Sequence, residues 1–342
     1  MKTLFTNNAG DTYNLSPMAY PWAYSMYKRA RKNFWTPEEI NMSQDISSFA
    51  TLEPELKEMF LDVFATLTTS DLVVQENIAL RLYQLLDVPE LRLWLGHQIA
   101  DESLHSHTYQ HIIENLALGD DTIYGRYKER EYIAQKFSLA KNYAAMPLAA
   151  YGDWPEEAIE QFIVSLAFYY LGFEGIWFYH GFSPILALGR AGKVPGTISQ
   201  LLYIARDEIT HVAFGVALLR SIKQSYGFSD YVCKCIRVMF EQLVEAEVIY
   251  ASAAIPKNIV GYSAEDHIQQ TKYMVNFRLR QVEMAPLYPE VTAPGVTWLA
   301  EMLENRKERN FFETRVTEYQ VGGLSLDTST KVSLEALLVG LT

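Results

Sequence analysis

Two Glu-x-x-His pairs, Glu102/His105 and Glu208/His211, constrain this chain more than any other feature. On an α-helix, positions i and i+3 share a face, so each pair can close on one ion. Each pair also has an acid upstream at a similar interval: Asp71 before the first and Glu174 before the second, both within apolar stretches. An unpaired carboxylate buried in such surroundings is costly, so something must neutralise it. The pattern therefore asks for four helices that turn Asp71, Glu102, His105, Glu174, Glu208 and His211 toward one interior point. Four carboxylates bring about −4 and two divalent cations about +4, so a dinuclear centre balances the site where one ion would not. Oxygen-rich ligation with two imidazoles and no thiolate favours iron or manganese over structural zinc. A single Glu-x-x-His is ordinarily a solvated helix face; the matched halves are what make a site of it. No His-Glu-x-x-His occurs, which excludes the helical zinc-protease motif. His107 and His111 fall off the ligand face and are left out.

The periodicity is helical throughout, and no alternation runs long enough to suggest a sheet, so the fold class is all-α. Helices are expected near 19–33, 54–87, 89–118, 122–145, 155–188, 196–226, 229–256, 264–285 and 296–309, with breaks at Pro and Gly clusters. Thr36-Pro37-Glu38-Glu39 reads as a further helix start, with Thr36 as N-cap and Glu39 in capping-box register. No hinge-like linker separates 71–105 from 174–211, and both halves supply ligands. One domain is therefore expected over 1–310, followed by a tail over 311–342. The tail is rich in Gly, Ser and Thr from about Val321 and apolar from Leu334 to Leu341.

With 342 residues and 49% hydrophobic content the chain can bury a large core. A net charge of −12 without a Lys/Arg block argues against a nucleic-acid partner. The first residues lack the apolar core of a signal peptide, and runs such as Ile163 to Phe173 are too short to span a bilayer, so a cytoplasmic location without a membrane partner is expected. The two cysteines, Cys233 and Cys235, make no disulfide framework.

These residues resemble the radical-generating small subunit of class I ribonucleotide reductase, a branch of the ferritin-like superfamily. The resemblance runs from Asn33-Phe34-Trp35-Thr36-Pro37 to Glu318-Tyr319-Gln320. It rests on Trp35, Asp71, Glu102-x-x-His105-x-x-x-Tyr109, Glu174 and Ala205-Arg206-Asp207-Glu208-x-x-His211, which match in order and spacing. It implies a ferritin-like helical bundle with additional helices, and the same six ligands reached from spacing. Tyr109 would carry a stored radical inside an apolar sleeve of Phe178, Phe182 and Ile204. Trp35, Asp207 and His105 would carry oxidising equivalents outward, and Tyr319 would pass them across a subunit interface. Tyr203 resembles a tyrosine that assists assembly in the manganese–iron branch.

The resemblance further implies oxygen or a reduced oxygen species for activation, a homodimer, an activating flavoprotein in some relatives, and a large catalytic subunit as partner. Nucleotide reduction needs a radical-bearing cysteine and a reducing pair, which Cys233 and Cys235 cannot furnish. The expected activity is thus that of a ribonucleoside-diphosphate reductase, exerted only with the large subunit. The manganese–iron branch shares Thr314-Arg315-Val316 but has Phe for Tyr109 and Glu for Asp71, so Fe/Fe, Mn/Mn and Mn/Fe centres all stay open, as does storage of the oxidant as a Tyr109 radical or as high-valent metal. The alternative is a ferritin-like oxidase acting on a small or lipid ligand. Such an enzyme would have no use for a relay through Trp35, Asp207 and Tyr319.

Overall fold

The computed structural model describes residue 4 and residues 14–119, 123–144 and 154–303; the tail and Tyr319 lie outside the described residues. Among the described residues the chain is helical, without strands. The principal helices are α1 (Pro21–Ala30), α2 (Asp45–Ala50), α3 (Pro54–Asn77), α4 (Pro89–Asn115), α5 (Glu131–Ala144), α6 (Glu156–Ala167), α7 (Ser183–Arg190), α8 (Pro195–Tyr226), α9 (Asp230–Ala254) and α10 (Ala264–Gln281). Proline near the start of α3, α4 and α8 suits a position whose N–H has no helical partner. One continuous hydrophobic core joins residues from both halves. α3 packs on α4, α4 on α8, and α8 on the segment directly after α6. These four elements surround the interior.

That segment, Phe168–Phe178, is π-helical and buried along its whole length. It departs from the uninterrupted helix expected over 155–188. The chain then turns through Tyr179–Phe182 before α7 begins. Gly181 permits the turn, since a Cβ there would strike the Trp177 carbonyl. The π-helix is braced from behind by Arg278, a fully buried guanidinium whose Nε donates to the Gly175 carbonyl at 3.0 Å. The stretch Glu156–Arg190 is long and apolar enough to cross a membrane by composition, but its most apolar window is 100% buried inside the protein. It is a core element. The expected helix at 54–87 is likewise interrupted, by a π-helical turn at Ile78–Leu82.

The helix start read at Thr36 is corrected to a single 3₁₀ turn, Pro37–Glu39. Thr36 makes no capping hydrogen bond from its side chain, and Ile40 is extended, so the chain leaves helical geometry at once. A few residues later the chain caps a distant helix. Buried Asp45 accepts from the backbone N–H groups of Gly196 (2.8 Å) and Thr197 (2.7 Å), and from the Thr197 hydroxyl (2.7 Å). Val194, at the N-cap position of α8, has a left-handed φ of 43° and makes no side-chain cap hydrogen bond. Asp45 therefore supplies the anion that the N-terminus of the longest helix favours.

Candidate metal centre

Each predicted ligand comes from one of the four central elements. α3 carries Asp71, α4 carries Glu102 and His105, the π-helical segment carries Glu174, and α8 carries Glu208 and His211. None is more than 1% exposed. His105 Nδ1 lies 3.7 Å from Asp71 Oδ2, 3.5 Å from Glu102 Oε2 and 3.2 Å from Glu208 Oε1. His211 Nδ1 lies 3.3 Å from Glu102 Oε1, 3.4 Å from Glu174 Oε2 and 3.3 Å from Glu208 Oε2. Two groups result, Asp71/Glu102/His105 and Glu102/Glu174/Glu208/His211, each able to place one ligand atom per residue within 4.8 Å of the others. Glu102 belongs to both, and Glu208 offers one oxygen toward each imidazole. Such sharing is what two adjacent cations require.

The donor atoms fit cations better than they fit one another. Both oxygens of Asp71, both of Glu102, Glu174 Oε2, Glu208 Oε1 and both nitrogens of His105 are buried with no hydrogen-bond partner. Buried polar atoms are nearly always partnered, so this concentration of orphans marks a place built for something that accepts their lone pairs. The protonation balance agrees. Burial, and then the neighbouring Glu102 carboxylate, pushes Asp71 well above the usual carboxylate range. Burial followed by Glu208 does the same to Glu174. Burial opposes charge on the imidazoles, yet Asp207, Glu102 and Glu208 overcome it at His105, and Asp101, Glu102, Glu174 and Glu208 at His211; both rise well above the ordinary histidine value. Without cations the site gathers protons in their place.

The far side of each imidazole meets an aspartate. Asp207 Oδ2 is 3.6 Å from His105 Nε2, an ion-pair distance longer than a hydrogen bond. Asp101 Oδ2 is 3.2 Å from His211 Nε2. Carboxylates in this position fix ring orientation and raise ligand basicity. Asp101 escaped the sequence reading although its signal was present: Asp101-Glu102 and Asp207-Glu208 repeat one motif, Asp-Glu-x-x-His, and each aspartate serves the other half's histidine. Gln98 also escaped. Its Nε2 donates to Glu174 Oε1 at 3.0 Å, while its Oε1 accepts from the Tyr170 hydroxyl at 3.0 Å.

Trp35 is buried, and its Nε1 donates to Asp207 Oδ2 at 2.7 Å. Arg206 holds the other oxygen of Asp207 at 3.1 Å and reaches the Asn33 carbonyl at 2.6 Å, anchoring the loop that bears Trp35. Tyr203 stacks on Trp35, ring centroids 5.1 Å apart. Tyr109 is fully buried and its hydroxyl has no hydrogen-bond partner. Burial, then Asp71, pushes that phenol well above its ordinary value. Phe178, Phe182 and Ile204 are all buried, and the two phenylalanine rings adjoin. Phe64 on α3, which no sequence signal indicated, meets the Tyr109 ring edge-on at 6.0 Å. His107 is exposed beside Glu38, and His111 pairs with Asn115, so neither joins the centre.

A helical bundle whose interior holds two acid–imidazole groups sharing a carboxylate defines the class of dinuclear carboxylate proteins. The family described as "Ribonucleotide reductase, small chain" matches residues 12–294, and the chain belongs to that family. It is 32% identical over 327 residues to "Ribonucleoside-diphosphate reductase subunit beta" of Chlamydia pneumoniae, covering 94% of each chain. Among solved structures it is similar to the "Ribonucleotide reductase R2 subunit from Clostridium botulinum", with 27% identity, a TM-score of 0.73, and 83% and 88% of the two chains covered. The fold also matches the Rnr4 homodimer from Saccharomyces cerevisiae at 18% identity and a TM-score of 0.71, covering 90% and 91%.

Proposed function

We propose that this chain is the small subunit of a ribonucleoside-diphosphate reductase, supplying an oxidant to a large catalytic subunit that reduces ribonucleotides to deoxyribonucleotides. The observation that carries the reading is the pair of buried acid–imidazole groups with their orphaned donor atoms. Asp71, Glu102, His105, Glu174, Glu208 and His211 would hold two ions of iron, manganese or one of each. Such a pair, when bound, would supply a one-electron oxidising equivalent drawn from oxygen or a reduced oxygen species. Every other contribution comes from the protein. Glu102 and Glu208 would serve both positions, Asp101 and Asp207 would orient the imidazoles, and Gln98 would fix Glu174.

Tyr109, or the metal pair itself, would store the equivalent, and the buried setting of Tyr109 keeps water away from its ring. Trp35, Asp207 and His105 form the outward route, with the 2.7 Å hydrogen bond from Trp35 as its tightest link. Tyr319, beyond the described residues, continues it to the partner, and the tail provides docking. The acting form is a homodimer in the cytoplasm, and a flavoprotein supplies the reduced oxygen species where oxygen alone does not activate the centre. The test is Asp207→Asn in protein loaded with its native metals. It should retain metal content and any Tyr109 radical while losing ribonucleoside-diphosphate reduction with the large subunit. Full turnover by that variant would remove Asp207 from the route.

A further inference from the structure

Away from the metal centre, the core buries a second polar group beyond the end of the π-helical segment. His180, Glu247 and His267, from the turn after that segment, α9 and α10, can each bring a ligand atom within 4.8 Å of the others. All three are buried. Their surroundings do not call for a metal. Lys136 Nζ, also buried, lies 2.5 Å from Glu247 Oε1, so an ammonium already takes the cation's place. A divalent ion added there would leave uncompensated buried charge.

Glu247 sets the direction of one hydrogen bond in this group. Burial opposes charge on Glu247, but Lys136 and then His267 outweigh it and hold the carboxyl well below its ordinary range. An ionised carboxylate only accepts, so His267 Nε2 donates to Glu247 Oε2 at 2.7 Å. With its Nε2 hydrogen committed to Glu247, His267 presents Nδ1 to the Tyr262 hydroxyl across 2.5 Å, where the hydroxyl can donate. This is the logic of a carboxylate–imidazole–hydroxyl triad, with a phenol in the hydroxyl position.

The neighbouring rings are handled in the opposite way. Lys136 sits over the faces of Trp177 (4.8 Å) and Tyr250 (4.3 Å). Trp298, edge-on to Tyr262 at 6.1 Å, has the Arg190 guanidinium over its face at 4.8 Å. A cation over an aromatic face is attracted to its electrons, so removing one costs more. Tyr262 differs: its hydroxyl lies against an imidazole nitrogen.

We infer that Tyr262 is a second oxidisable tyrosine, whose electron passes to a one-electron oxidant while its phenolic proton moves to Nδ1 of His267. The products balance as a neutral phenoxyl radical and an imidazolium paired with Glu247. In the working protein the oxidant would be the oxidised metal centre, which rests on the function proposed above.

The experiment supplies the oxidant from outside, so its failure is separable from failure of the metal-centre reading. Full-length Tyr109→Phe protein with its metals is oxidised by flash-generated ruthenium(III) tris(bipyridine) and freeze-quenched for paramagnetic resonance. A long-lived tyrosyl signal is expected, with loss of that component on adding Tyr262→Phe. A solvent deuterium isotope effect on its formation is expected in the Tyr109→Phe protein and should vanish in Tyr109→Phe/His267→Gln. An undiminished long-lived signal in Tyr109→Phe/Tyr262→Phe, or formation indifferent to deuterium when His267 is intact, overturns the proposal.

Discussion

Removing the metals should make the protein's stability fall as pH rises. Asp71 and Glu174 have folded-state values well above their ordinary 3.8 and 4.5, so in the metal-free protein they keep protons that the unfolded chain releases. His105 and His211, raised above 6.5, add to the same imbalance from near neutrality upward. The native state thus binds more protons than the unfolded state, and each extra proton costs about 1.4 kcal/mol of stability per pH unit. Asp207 and Glu208 are shifted downward and ionised in both states at these pH values, so they do not offset the trend. For the two carboxyls alone, the loss between pH 6 and pH 8 is at most roughly 5.6 kcal/mol, a large part of an ordinary protein's net stability. Urea unfolding of chelator-treated protein, followed by circular dichroism at both pH values, reads it directly. Asp71→Asn should flatten the slope by about one proton's worth. Metal-loaded protein should show the opposite tendency in its metal affinity, because ligands must shed protons to bind. Metal-free protein as stable at pH 8 as at pH 6 would refute the idea that protons stand in for cations.

Tyr319→Phe should leave metal content and any Tyr109 signal unchanged while abolishing turnover with the large subunit, measured as deoxyribonucleotide formed. A synthetic peptide of residues 322–342 should compete with subunit association in a pull-down; no inhibition at large excess would count against docking by the tail. Gly215→Ala places a methyl on the ring of buried Tyr170 and should cost about 1–3 kcal/mol by overpacking, seen as a lower Tm.

The six donor residues are legible because a helix writes its inner face as a spacing, and because acids inside apolar runs demand an explanation. Trp35 and Asp207 come from the family resemblance, and the hydrogen bond between them fits it. Other features depend on which helix lies against which, and spacing along one chain does not encode that. Phe64 beside Tyr109 and Gln98 beside Glu174 are of this kind. Asp101 is an instructive omission: its motif stands in plain view, but only the crossing of α4 and α8 assigns it to His211. The π-helical register of Phe168–Phe178 reads as ordinary helix because, apart from Glu174, its sequence is apolar all round and carries no period to betray the change. Thr36 misleads for a local reason, since good capping chemistry over four residues does not prevent Ile40 from ending the turn.

The crossed aspartates have a consequence for how this molecule could be divided. A cut in the connection between α5 and α6 would yield two fragments, each with an intact Asp-Glu-x-x-His, yet each histidine would lose the brace contributed by the opposite piece. Neither fragment could assemble an oriented half-site in isolation. The motif reads as a duplicated unit, but the working arrangement is an exchange, and reciprocity rather than repetition is what binds the two halves into a single folding enterprise.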